Sequence, residues 1–367
     1  MDRTTPGPNC VQTSIPRPIR RIPKPFLWAA ALLAVGLAGW LLSRNGFDHP
    51  IFDWGLARQS IAGIHWSWVA ISLIPMLGTY LGRALRWRVF LRPLKPHPSM
   101  RNLLSATVIG FTAITLFGRP GEFVRPYLIA RKEQVPVTSQ FAAWVLERIF
   151  DLLMALILFA FALTRVQASG LRVGANLSWV LAIGGKIGGG LAGLILLILL
   201  CLRHFAQPMH RRLTALARRL PAQRAVKIEK IIDALFQGVE SMRSDAALVV
   251  VLMYSFLEWV LICGCYWCLA QAFAGIVNLG VVDVLILMGF VSFGSIVQIP
   301  GVGGGMQVVS VLVLTEMFGV RLEPATTFAI FLWTITFVVI VPLGMCVALK
   351  EGLDWHSLRR MGQEESQ

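Results

Sequence analysis

Charged side chains are scarce in this chain. Asp, Glu, Lys and Arg make up 14% of its 367 residues, where soluble domains carry roughly 25%, and that shortage excludes an ordinary water-soluble globule. Acids are the rarer sign, 19 against 34 Lys and Arg, for a net charge of +15. The six histidines are scattered, so no metal site and no cofactor is predicted. No Gly-Lys-Ser/Thr follows the glycine-rich stretch 300–305, which argues against Walker-type nucleotide binding. Of six cysteines, Cys201, Cys263, Cys265, Cys268 and Cys346 lie in or beside apolar segments, which argues against a disulfide framework. Cys263, Cys265 and Cys268 read as packing residues, because on a helix Cys263 points away from the other two. The first apolar run, 26–42, ends without a small-x-small cleavage site and reads as a retained span.

What the chain does have is apolar sequence in long runs: 56% hydrophobic residues and a mean hydropathy of +0.68. Clear runs occupy 26–42, 66–82, 141–164, 177–202, 247–273 and 325–349, and two more, 101–118 and 281–318, are interrupted by glycine, proline and polar groups. The predicted fold is all-α: a polytopic helical membrane protein of about 6–8 spans with two broken or re-entrant helical hairpins. It divides into a basic cytosolic tail (1–25), a transmembrane domain (26–349) and a cytosolic tail (350–367). The basic residues sit in short loops, where topology rules place them and anionic headgroups attract them. Nucleic acid is therefore not an expected partner.

Cation counts orient the spans. Arg17, Arg20, Arg21 and Lys24 place the N-terminus in the cytoplasm, of a bacterial inner membrane in this reading. Loop 43–65 falls outside, and the segment from Arg83 to Arg101 falls inside. Residues 203–230 hold eight Arg and Lys against one acid, Glu229, and are also cytoplasmic. By parity, 101–118 starts and ends on the same side, which predicts a re-entrant pair. Span, broken hairpin and span recur in the second half with opposite orientation, the arrangement of an inverted-repeat transporter. Two full crossings with the same final sidedness are the alternative for segment 281–318. In the linker 203–246, Ile228, Ile232, Leu235, Val239 and Met242 recur at helical spacing, which suits the membrane surface or the inner mouth of the bundle.

Four polar clusters interrupt this apolar background. Arg83 and Arg86 share a helix face beside Trp87, either as headgroup ligands or as positive-inside anchors with an interfacial tryptophan. In Gly118-Arg119-Pro120-Gly121-Glu122-Phe123-Val124-Arg125-Pro126 the helix breaks; Arg119 and Arg125 are expected to face a phosphate, with Glu122 either holding an arginine in place or binding a cationic group, and a plain surface turn is the alternative. Glu147, Arg148 and Asp151 lie within a span, with both acids on one face and Arg148 placed to pair with Asp151. Around Pro300, Gly301, Gly303, Gly304 and Gly305 either bring backbone amides to an anion or let helices pack closely. Glu258 stands alone near the middle of its span, so it is expected to serve proton or cation coupling or to pair with Arg148. Lys186 is expected to snorkel outward.

These segments resemble the flippase-like family named after the transmembrane region of lysylphosphatidylglycerol synthase. The resemblance rests on Arg-x-x-Arg-Trp (83–87), Gly-Arg-Pro-Gly-Glu-x-x-Arg-Pro (118–126), Glu-Arg-x-x-Asp (147–151) and Pro-Gly-Val-Gly-Gly-Gly (300–305), over about residues 66–349. It implies a helical membrane protein that translocates an anionic or aminoacylated lipid, or an isoprenoid or glycolipid. Full-length synthases add a soluble aminoacyltransferase domain, whereas 18 residues (350–367) follow the last span here, so lysyltransferase activity is not expected. The expected partners are membrane lipids and enzymes of lipid biosynthesis. A membrane-embedded transferase using Glu122 or Glu147, and a non-transporting subunit of a lipid-synthesis complex, are the alternatives to a flippase.

Overall fold

A computed structural model describes residues 52–168, 245–295, 298–301 and 303–352, with parts of 190–219 and 226–236. The expected span 26–42, most of 177–202 with Lys186, the linker residues Leu235, Val239 and Met242, the N-terminal tail and the C-terminal tail beyond residue 352 lie outside the described residues. The elements are helices α1 (Trp54–Ala62), α2 (Trp66–Leu91), α3 (Met100–Phe117), α4 (Val124–Glu133), α5 (Val137–Ala168), α6 (Asp245–Ala272), α7 (Val281–Gly294), α8 (Gly305–Glu316), α9 (Leu322–Trp333) and α10 (Ile340–Lys350). A 3₁₀ turn (Arg119–Phe123) joins α3 to α4, a two-stranded turn (β1 Gln298–Ile299, β2 Gly303–Gly304) joins α7 to α8, and a π-helical segment (Thr334–Val338) joins α9 to α10.

Among the described residues, four helical stretches are long and apolar enough to cross a membrane: Trp66–Leu91, Met100–Phe117, Ala246–Ala272 and Leu322–Lys350. Helix α5 is longer still at 32 residues, with Glu147, Arg148 and Asp151 in its first half. The segment expected to leave the membrane after residue 82 stays helical to Leu91, so Arg83, Arg86 and Arg88 belong to the helix and not to a loop.

The first hairpin differs from the expected pair within 101–118. That stretch is one unbroken helix of 18 residues, and the returning arm is α4. Parity nevertheless holds, because the start of α3 and the end of α4 are tied together. Glu133 accepts hydrogen bonds from the Ser99 amide (3.3 Å) and Asn102 Nδ2 (2.7 Å) and pairs with Lys95 Nζ at 2.7 Å. Two glycines allow the arms to close. A Cβ on Gly110 would lie 2.6 Å from Arg125 Cβ, and one on Gly121 would overlap the Ala113 carbonyl.

In the second hairpin α7 and α8 have 14 and 12 residues, which at 1.5 Å per residue span about 21 and 18 Å. Neither reaches across a hydrocarbon core of about 30 Å. Length therefore favours a broken hairpin over two crossings. At its turn Gln298 pairs with Gly304 and Ile299 with Gly303, and φ values of +71°, +107° and +137° at Gly301, Gly303 and Gly304 suit glycine.

The two halves contact each other reciprocally. The first spans, α2 and α6, run antiparallel: His65 donates its amide to Ala272 O (2.9 Å), Trp68 meets Trp267 edge-on, and Arg83 reaches Glu258. Each hairpin then packs on the other half's second span. Thr112 and Thr115 of α3 donate to the carbonyls of Ile340 and Phe337, while Phe159 of α5 lies against Phe290 and Phe293 of α7. An exchange of this kind is what a two-fold axis in the membrane plane produces. The π-helical segment serves it locally. Wider winding frees backbone carbonyls, and Phe337 O and Thr336 O accept from Thr115 and, at 3.4 Å, from Tyr80. Cys265 and Cys268 are buried free thiols beside half-buried Cys263.

Glu133 gives the first hairpin a pH dependence. Burial pushes its carboxyl up, but the hydrogen bonds from Lys95, Asn102 and the Ser99 amide outweigh burial and hold it below the ordinary glutamate value. A carboxyl depressed on folding stabilises the fold above its unfolded value and loses that contribution as pH falls through the folded one. Glu133→Gln should lower stability by about 1–3 kcal/mol near neutrality. In thermal unfolding of detergent-solubilised protein, the gap between variant and parent should close as pH falls below the ordinary glutamate range.

Candidate functional site: a buried arginine–carboxylate network

Three membrane helices present charge to one another. On α2, Arg83 and Arg86 are three residues apart; on α5, Glu147 and Asp151 are four apart; on α6, Ser255 and Glu258 are three apart. Each spacing keeps its pair on one helix face, so the three helices enclose one polar cluster. Arg86 is its centre and is fully buried. Its Nη2 lies 2.5 Å from Glu147 Oε1 and 3.3 Å from Glu258 Oε2, and its Nη1 donates to Asp151 Oδ1 (2.8 Å) and Ser255 Oγ (3.0 Å). Arg83 pairs with Glu258 at 2.7 Å.

The hairpin supplies a further cation from α4. Arg125, 3% exposed, pairs with Glu147, and its guanidinium lies 4.1 Å from the Trp87 ring centroid and 5.5 Å from that of Phe111. Arg83 sits 4.4 Å above the same Phe111. Desolvated guanidinium–aromatic contacts of this kind stabilise by about 2 kcal/mol. Arg148 closes the cluster at its open side. Its side chain is 38% exposed and contacts Asp151 at 3.1 Å and Glu147 at 3.7 Å. Four guanidinium groups thus meet three carboxylates.

Among the residues expected to bind, Arg83, Arg86, Arg125, Glu147, Arg148 and Asp151 converge, and Glu258 joins them. Several expectations need correction. Glu258 pairs with Arg83 and Arg86 and not with Arg148. Arg86 and Trp87 are fully buried, so neither anchors the chain at an interface, and Trp87 Nε1 donates to Gln140 Oε1 at 3.0 Å. Glu122 pairs with Arg119 at 2.6 Å, but the carboxylate on Arg125 is that of Glu147. Arg119 stands apart at the hairpin tip and reaches Ser295 O of the second hairpin at 3.3 Å.

The glycine loop also differs from an anion nest. The Gly301 amide donates to Thr115 O (3.0 Å) and the Gly304 amide to Gln307 Oε1 (2.6 Å), so both are occupied within the chain. Gly303 is the strand partner of Ile299, and Gly305 opens α8 with its carbonyl against Gly294. These glycines join the two hairpin tips, where Gly118 also abuts Pro300. Ser255, Phe111 and Gln140 went unread in the sequence, because a lone serine, phenylalanine or glutamine among apolar residues carries no motif.

Removing one member of a buried ion pair leaves an uncompensated charge and costs about 3–5 kcal/mol. Glu147→Ala strips its carboxylate from Arg86, Arg125 and Arg148 together, and should destabilise the protein by at least that much. Asp151→Ala, at a carboxylate 18% exposed, should cost less. Comparing the two variants by thermal unfolding in detergent checks the ranking.

Among the described residues no three His, Cys, Asp or Glu gather as a metal set. No curated protein and no solved structure matches the chain. Residues 27–344 match the family described as the lysylphosphatidylglycerol synthase TM region, a stretch that contains the whole network and both hairpins. The chain is a multi-pass membrane protein, involved in lipid handling, of the lysylphosphatidylglycerol synthase TM-region family.

Proposed function

We propose that the protein translocates the anionic headgroup of a lipid across the bilayer, with the network around Arg86 as the headgroup site. The observation that carries this reading is the excess of guanidinium over carboxylate in a cluster buried among apolar helices. Ionisable groups at such depth usually face a bundle interior or a wet cavity and mark a substrate path. The planar guanidinium fork suits phosphate oxygens. Arg148 is the half-exposed point of approach, with Arg86 and Arg125 buried behind it, so a headgroup would enter past the first while its acyl tails stay in lipid.

The hairpins provide the alternating element. Their tips meet through the Gly301–Thr115 and Arg119–Ser295 hydrogen bonds, two contacts that can open without unpacking a helix, and opposed broken hairpins are a recurring device of alternating access. Membrane lipid is the proposed partner, in a bacterial inner membrane with the N-terminus cytoplasmic, as the basic loops favour. A carrier is preferred to a transferase because Glu122, Glu147, Asp151 and Glu258 each pair with arginine, which leaves none poised as a general base.

Proteoliposomes containing headgroup-labelled phosphatidylglycerol and a leaflet-specific quencher test the reading. The protein should make label in the inner leaflet accessible on a timescale that empty liposomes lack. Arg125→Ala should abolish that movement, and Arg148→Gln, at the more exposed and less structural position, should slow it by about tenfold or more while unfolding near the parental temperature. Equal movement by both folded variants would sink the assignment.

A further inference from the structure

The network has a definite charge count. Glu258 joins Arg83 to Arg86, Glu147 joins Arg86 to Arg125, and Asp151 joins Arg86 to Arg148. Among the described residues, four cations and three anions in one connected cluster leave a single positive charge without a counter-charge. The neighbouring pair of Arg119 and Glu122 balances within itself. Hydrogen-bond capacity is also left over among the described residues: Arg125 Nη1 and the Nε atoms of Arg83, Arg86 and Arg148 are buried without an acceptor, while Glu147 Oε2 and Glu258 Oε2 already face arginine in ion pairs. A membrane interior strongly disfavours an unbalanced ion, and a buried charge needs both a counter-charge and filled hydrogen bonds. Both deficits describe the same missing group: one negative charge carried on more than one acceptor oxygen.

We propose that the network is completed by one lipid phosphodiester, bearing a single negative charge, and that its three carboxylates set this limit of one. The proposal rests on the headgroup reading above and narrows it. A phosphodiester presents one charge over two free oxygens. A phosphomonoester carries about −1.5 to −2 at neutral pH and brings charge that the four arginines no longer balance. The carboxylates therefore select as well as position. Asp151 is the one to alter, since it is partly exposed, beside Arg148, and bonded to two arginines. Asp151→Asn keeps the shape and an acceptor oxygen while raising the imbalance from one charge to two. That change should turn the preference from diester to monoester. Glu258→Gln makes the same change from α6 and should turn it the same way.

The experiment is a lipid titration of the full chain in dodecyl maltoside at pH 8, comparing phosphatidylglycerol with phosphatidate of the same acyl length. The unaltered protein should favour phosphatidylglycerol by about tenfold or more, and Asp151→Asn and Glu258→Gln should each reverse the order. Arg148→Gln, which removes the uncompensated charge, should weaken both lipids. Glycerophosphoglycerol, the same diester without tails, should fail to displace the lipid at equal concentration. Its success there would overturn the lipid as the source of the phosphate. Tight phosphatidate binding by the unaltered protein, or an unchanged ratio in both charge variants, would overturn the charge limit while leaving the headgroup site standing. Binding of neither lipid by the folded parent would overturn the headgroup reading and the limit together.

Discussion

A fully buried guanidinium is the constraint on which the membrane domain depends. Arg86 has no solvent to turn to, so its charge must be met by carboxylates brought from other helices. Glu147 and Asp151 come from α5, and Glu258 and Ser255 from α6. Those contacts fix the rotation of three long helices about their own axes, which apolar packing between helices that are greasy all round does not do. Helix α6 shows the need plainly. Its exposed side chains include Val249, Met253, Phe256 and Val260, set around the buried Ser255 and Glu258. Without the polar face, little distinguishes one orientation in lipid from another.

The same network reaches the first hairpin through Arg125. That residue sits one position into α4 and packs where Gly110 of α3 allows the arms to touch. Its guanidinium lies between the carboxylate of Glu147 and the rings of Trp87 and Phe111. A displacement of α4 relative to α3 therefore moves a cation of the site directly. One side chain thus belongs both to the charged network and to the first hairpin. The tie at the other end of the hairpin, Glu133 with Ser99, Asn102 and Lys95, makes that base the natural fixed point for such a motion.

Much of this was legible in the sequence, and the failures share one cause. Hydropathy located the described spans, since a run of about 20 apolar residues has few other uses. Parity of the basic loops implied a hairpin before residue 141. Helical spacing put Glu147 and Asp151 on one face. What failed was every inference that needed a partner distant in the chain. Arg86 and Trp87 look like an interfacial anchor when read locally; they are buried because Glu147, more than fifty residues away, and Glu258, farther still, stand opposite. Glu258 was matched to the wrong arginine for the same reason. The break after residue 118 was read correctly as a break, yet the returning arm was missed because α4, carrying four charged residues in ten, has no hydropathic signal of its own.

The two halves are alike in topology and unlike in chemistry. All four arginines of the network and two of its three carboxylates come from the first half, and the second contributes Glu258 and Ser255 from its opening span. Its hairpin brings no charge to the cluster. It brings a glycine-rich turn whose backbone closes on the tip of the first hairpin, through the Gly301 amide and the Ser295 carbonyl. A duplicated fold is thus free to divide its labour. Charges placed in one repeat would suffer like-charge repulsion if the symmetry were copied faithfully into the other, whereas a neutral, backbone-bonded turn opposite them adds closure without altering the charge balance. Under the proposed function, selection and access become separable properties: the first follows from the count of carboxylates around Arg86, the second from the Gly301–Thr115 and Arg119–Ser295 hydrogen bonds between the hairpin tips.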